Sequence, residues 1–313
     1  MPRDDAAPAP PAGLATGLAA ASPRPLRGVA LLAASVLIFA AMDTTTKYLV
    51  GSYDPRLVVA VRYILHFLLM LAILGPIHRG GLVRTRRRGL VLARAACLVA
   101  ASLLTGMALG RMPVAETTSI VFLSPAIVVV AAPWILGERF SAFNATAAAV
   151  GFAGVLLIAR PGGALDPVAV LFVLGAAGFS SGYIMLSRLL AATETTIVLL
   201  FYTAMLGAVV CGLALPWSVG GPAPTPLQLG LFLATGLLAA IGHYFFTAAH
   251  RLAPASVLAP VNYLQILWAG VLGWLVFGHV PDGPSVAGMA LVVLAGVAIA
   301  LRSAGWPRSR PRG

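Results

Sequence analysis

Runs of about twenty apolar residues, joined by short links rich in Gly, Pro and charge, recur along this chain from end to end. A helix needs about that length to cross the hydrocarbon core of a bilayer. Ten such runs can be marked, at roughly 28–48, 57–77, 90–110, 113–135, 143–160, 167–187, 195–216, 227–249, 254–277 and 284–302. Composition agrees with this reading. Of the 313 residues, 60% are hydrophobic and only 10% charged, with a mean hydropathy of +0.96, whereas a soluble domain carries about 25% charged residues. A water-soluble fold this apolar has too little polar surface to cover itself. An all-α polytopic membrane protein does not need to, because hydrocarbon is its solvent.

The net charge of +12 points to topology and away from nucleic acid, because no polar module exists to carry a basic patch. With both termini in the cytoplasm, 16 of the 21 Lys and Arg residues fall on the inner side, as the positive-inside rule requires. The run Arg84–Arg88 between the second and third spans is the strongest local vote. A cell inner (plasma) membrane location follows. Residues 1–27 are rich in proline and read as a disordered cytoplasmic tail, and 303–313 reads the same way. Cys97 and Cys211 lie inside apolar runs without metal-site spacing, so they read as small buried residues, and no cofactor or metal is expected.

The chain repeats itself. Met112-Pro113-Val114-Ala115 opens the fourth span, and Ala253-Pro254-Ala255-Ser256 opens the ninth, 141 residues on. Gly137-Glu138 and Gly278-His279 close the same two spans at the same spacing. Gly154–Arg160 then matches Gly296–Arg302 at 142. The halves are therefore 28–160 and 161–302, five spans each. Five is odd, so the second half enters the membrane with opposite orientation. Such inverted-topology repeats are typical of secondary transporters, which hold substrate near the midplane between the halves.

The stretches Thr117–Pro125, Leu136–Arg139 and Gly151–Gly162 resemble the drug/metabolite transporter superfamily, and more narrowly its EamA-type ten-helix members. Ala255–Pro260, Asn262–Leu264, Trp268-Ala269, Gly273–Gly278 and Pro281-Asp282 resemble the matching part of the second half. Met42-Asp43, Lys47 and Arg62 sit where the family often shows them. The resemblance covers about residues 28–302 and implies a carrier of small metabolites such as amino acids, nucleosides, vitamins or amines. One departure concerns the turn after the second Phe-Gly, where His279 stands in place of the usual Glu.

Charge at the centre of a bilayer costs about 2.5–3.5 kcal/mol on insertion scales, so each intramembrane charge is a functional candidate. Asp43 and Lys47 share a face of the first span, Arg62 and His66 share one of the second, and Glu116 lies one turn into the fourth. The four charges sum to zero. They either pair as Asp43–Lys47 and Arg62–Glu116 or line a cavity for a zwitterionic or anionic metabolite. Ser180, Ser181 and Tyr183 are polar at the centre of the sixth span, and His243 and Tyr244 near the middle of the eighth. Asn262, Tyr263 and Gln265 decorate the ninth. Pro125 and Pro260 free a carbonyl each, which either kinks a helix or exposes backbone to a ligand. His243, Asp43 and Glu116 are candidate proton carriers. Ala147 and Gly151, and Gly296 and Ala300, form small-residue packing faces.

The expected function is secondary transport of a small polar metabolite by alternating access, coupled to protons. The expected partners are that substrate, membrane lipid and protons, with the chain working as a monomer or homodimer. No phosphate-binding Gly-rich loop followed by Lys and Ser or Thr is present to use ATP. Gly178-Phe179-Ser180-Ser181-Gly182 matches the Gly-x-Ser-x-Gly pattern of hydrolases, with His243 as a base. That motif needs a strained strand-to-helix turn, and here it lies inside a span, so an enzyme is not expected. A passive channel is the remaining alternative.

Overall fold

In the computed structural model of the protein, the described residues are 25–135, 142–160, 165–190, 193–252, 258 and 261–305. They form helices and turns, with no strand among them. The helices are α1 (Pro25–Val50), α2 (Pro55–His78), α3 (Arg88–Leu109), α4 (Val114–Val121), α5 (Ser124–Ile135), α6 (Ala142–Ile158), α7 (Pro167–Leu190), α8 (Thr196–Leu213), α9 (Pro226–Leu252), α10 (Leu264–Phe277) and α11 (Gly283–Gly305). Among the described residues, six of these are long and apolar enough to cross a membrane: α1, α2, α3, α7, α8 and α9. Large apolar side chains cover the outside of the bundle, among them Trp134, Leu171, Trp217 and Leu233. Hydrocarbon accepts such a surface, whereas water would not.

The expected span 113–135 is two helices, α4 and α5, parted at Phe122-Leu123. Pro125 explains the break: it has no N–H to donate, and its ring would collide with the carbonyl of Val121. α10 begins at Leu264, ten residues later than the expected start of its span. The chain before it holds Pro254 and Pro260, which lie outside the described residues together with the Ala253–Ser256 and Gly137-Glu138 members of the repeat. Most of the two expected tails also falls outside. Pro25 opens α1, where a missing N–H costs nothing, and α11 runs on to Gly305.

The helix contacts carry the internal symmetry. Exchanging the halves turns α1 into α7, α2 into α8, α3 into α9 and α6 into α11. The pair α1–α9 then becomes α7–α3, and α2–α9 becomes α8–α3. All four pairs are in contact, and α2–α8 and α6–α11, which map onto themselves, are in contact too. A pseudo-two-fold axis requires this pattern.

Small residues set how closely the halves approach. A Cβ on Gly154 of α6 would lie 2.6 Å from the Gly288 carbonyl of α11, and one on Gly151 would lie 3.3 Å from the Ala295 Cβ. Backbones at that distance gain dispersion contacts that larger side chains would prevent. Gly296 instead makes room for the Tyr263 ring.

On the face opposite the termini, three aspartates cap helices and hold arginines. Asp54 accepts from the Arg56 N–H at 2.7 Å, Asp166 from Val168 at 2.8 Å and Asp282 from Ser285 at 3.0 Å. Their carboxylates pair with Arg56, Arg111 and Arg160. Hydrogen bonds from those guanidinium groups are the main reason that all three carboxyls titrate below the usual carboxylate range.

Candidate functional site: a polar cavity between the repeats

A cavity of about 160 Å³ opens in the middle of the bundle. α1 supplies Met42, Asp43 and Thr46, and α2 supplies Arg62. α3 contributes Ser102, Thr105 and Gly106, and α4 contributes Thr117, Thr118 and Val121. Phe122 from the helix break, Ser180 from α7 and Gln265 from α10 complete the polar and aromatic part of the wall. The interruption after α4 is thus part of the cavity wall.

Arg62 is buried, at 7% exposure, yet its guanidinium makes no hydrogen bond or ion pair among the described residues. Its guanidinium carbon lies 5.5 Å from the centre of the Tyr63 ring. The Arg62 charge acts on Asp43, whose Oδ2 accepts a long hydrogen bond from Gln265 Nε2 at 3.4 Å. No ion pair joins Asp43 and Arg62. Two opposite charges therefore face one cavity without closing on each other.

Of the two arrangements the sequence left open, the ion pairs Asp43–Lys47 and Arg62–Glu116 do not form among the described residues. Lys47 turns away from Asp43 and donates to the carbonyls of Leu109 and Met112 at 3.1 and 3.0 Å. The end of α3 leaves those carbonyls without intrahelical partners, so they attract a cation. Its ammonium also lies 5.4 Å from the centre of the Phe277 ring. Glu116 pairs with His279 in place of Arg62, with 2.9 Å between Oε1 and Nε2, while its Oε2 has no partner. Gly278 makes that contact reachable. It sits at φ 67°, a left-handed conformation that glycine adopts without strain, and turns the chain back at the end of α10. His279 thus ties the second repeat to the first.

The remaining candidates sit around the cavity rather than in its wall. His66 and His243 stack in parallel, 5.7 Å between ring centres, and Phe39 covers His243 at 5.0 Å. Ser181 donates to the Ser124 and Ala177 carbonyls at 3.0 and 2.7 Å. Neither Ser180 nor Ser181 touches His243, so no serine–histidine pair is assembled. Tyr244 is exposed on the outer surface of α9, and Tyr263 packs on Phe122 at 5.2 Å. Asn262 is half-buried, outside the cavity wall.

Tyr183 belongs to a separate network. Arg94 of α3 is 4% exposed and donates to Tyr183 Oη, Ser187 Oγ, Thr203 Oγ1 and the Leu199 carbonyl at 2.7–3.2 Å. One guanidinium fork thereby ties α3, α7 and α8 together towards the face of the chain termini. In the sequence Arg94 is one basic residue among many on the inner side, and nothing there marks it as buried.

Two repeats of opposite orientation, closing on a polar cavity inside an apolar shell, define a membrane protein of the transporter class rather than an enzyme. The chain belongs to the EamA-like transporter family, whose model matches residues 26–160 and again 167–302. A riboflavin transporter of Rhizobium johnstonii is 31% identical over 192 residues, which are 61% of this chain and 63% of that protein. The match thus spans just under two thirds of that relative. The pseudopaline exporter CntI of Pseudomonas aeruginosa is 29% identical over 194 residues, 61% of this chain and 68% of its own. A protein of known crystal structure, 20% identical, shares the fold with a TM-score of 0.64 over 88% of this chain and 98% of its own.

Proposed function

We propose that the protein is a secondary carrier that moves a small polar metabolite by alternating access across a cell inner membrane, with both termini in the cytoplasm. The observation that carries this reading is the buried, unpaired Arg62 guanidinium facing Asp43 and Gln265 across a cavity between the repeats. A buried charge without a partner is costly and persists where a ligand completes it. Relatives named for riboflavin transport and pseudopaline export support transport as the activity. The cavity, about 160 Å³, is below the roughly 300–1,000 Å³ of pockets for drug-sized ligands, which favours a smaller cargo.

Glu116 is the best-placed proton carrier. It is 2% exposed, one oxygen is held by His279, and the other is free to take a proton. The test is counterflow in proteoliposomes, with and without an imposed pH gradient. Arg62→Ala and Asp43→Ala are expected to lower saturable uptake at least tenfold, while Arg84→Ala at equal reconstitution leaves it intact. Equal uptake by all three would refute the cavity as the route. Uptake that ignores the pH gradient would refute proton coupling.

A further inference from the structure

We propose that the cargo is a small zwitterion, with its carboxylate on Arg62 and its cationic nitrogen on Asp43. The inference deepens the carrier reading and rests on it. Arg62 and Asp43 come from different helices, α2 and α1, and meet only at this cavity. They are close enough for the Arg62 charge to act on Asp43, yet no ion pair joins them. Both line the same cavity. Lys47 does not compete as an anion site, because two backbone carbonyls hold it. Glu116 does not compete as a cation site, because it lies outside the cavity wall and His279 holds one of its oxygens.

Electrostatics then selects the class of ligand. A simple anion satisfies Arg62 but is repelled by Asp43. A simple cation satisfies Asp43 but is repelled by Arg62. A molecule with both charges a few bonds apart satisfies both and leaves the cavity neutral. The guanidinium presents a flat fork of donors that suits a carboxylate. Gln265 holds one oxygen of Asp43 through a long, weak bond, which leaves the carboxylate able to accept from an ammonium. Thr117, Thr118 and Ser180 line the same space.

The test uses matched triplets that differ only in charge: leucine, 3-methylbutylamine and 4-methylpentanoate; phenylalanine, phenethylamine and 3-phenylpropanoate; and the corresponding set for methionine. Binding to the purified full-length protein is read by thermal shift, and counterflow by proteoliposomes. At least one amino acid is expected to bind, with both of its single-charge analogues at least tenfold weaker. Arg62→Gln should bring that amino acid down to the level of its amine. Asp43→Asn should bring it down to the level of its acid. Arg62→Lys, which keeps the charge, should recover part of the loss and shows that the variants fold. An amine or acid that binds as tightly as its amino acid overturns the proposal. So does the absence of amino acid binding when riboflavin or another neutral compound shows saturable counterflow, an outcome that leaves the carrier reading standing. Flux that is linear for every compound overturns both.

Discussion

Removing His279 should cost the fold more when Glu116 is present than when it is absent. The two side chains meet at 2.9 Å, with Glu116 3% and His279 38% exposed. A hydrogen bond to a charged group contributes about 1.5–3 kcal/mol, and the exposure of the imidazole puts this one at the lower end through solvent screening. His279→Ala also leaves Glu116 Oε1 as bare as Oε2 already is. A buried polar group without a partner costs a further 1–3 kcal/mol or so. The single substitution should therefore cost about 2–4 kcal/mol. In a Glu116→Leu background the same change should cost under about 1 kcal/mol, giving a coupling of roughly 1–3 kcal/mol. Thermal unfolding of the four proteins in detergent reads this directly. At about 2 °C per kcal/mol for a chain of this size, His279→Ala should lower the midpoint by about 4–8 °C, and by under about 2 °C beside Glu116→Leu. Equal shifts in both backgrounds would refute the contact as a tie between the repeats.

Gly154→Ala forces a Cβ to within 2.6 Å of the Gly288 carbonyl, whereas Gly270→Ala meets nothing within 4 Å. The first should lose about 1–3 kcal/mol to overpacking. The second should gain up to about 1 kcal/mol of helix propensity, so their melting midpoints should move in opposite directions. Gly278→Ala also meets no atom within 4 Å but must keep φ near 67°, at a cost of about 1–2 kcal/mol; an unchanged midpoint would mean that the turn relaxes. The Asp282 carboxyl titrates below its usual range because Arg160 and Ser285 hold its charged form. Its contribution to stability is therefore complete above the usual carboxylate range and is lost as pH falls through the lower, folded value. Asp282→Asn should lower the midpoint at neutral pH, and the gap to the parent protein should close on acidification.

The apolar runs and the repeat carried most of the fold in the sequence, because hydrocarbon imposes a length and a hydropathy on every span. The break before Pro125 was legible for a similar reason, since a missing N–H acts locally. Asp43, Arg62, Ser180 and Gln265 stood out as polar residues in apolar helices, and the cavity gathers all four. What spacing did not reveal was pairing. Asp43 and Lys47 lie four residues apart, but the carbonyls that hold Lys47 come from a turn more than sixty residues away. Glu116 finds its partner across 163 residues, in the turn before the last helix of the other repeat. Arg94 counts in the sequence only as one of the inner-side basic residues, because any arginine near the inner end of a helix satisfies the positive-inside rule. Nothing in the sequence marks Ser102, Thr105, Thr117 and Thr118, because hydroxyl side chains are common helix-packing residues in membranes. No local pattern separates the few that face a cavity.

The balance of intramembrane charge has an electrical consequence. A membrane potential does work only on net charge moved, about 2.3 kcal/mol per elementary charge for each 100 mV. Asp43, Lys47, Arg62 and Glu116 carry two charges of each sign, and a zwitterionic cargo adds none. For the proposed carrier, with Arg94 fixed in its own network, both the loaded step and the empty return would be electrically silent. On the proposed coupling, voltage enters the cycle with the proton on Glu116, and the current measured per molecule transported would count those protons.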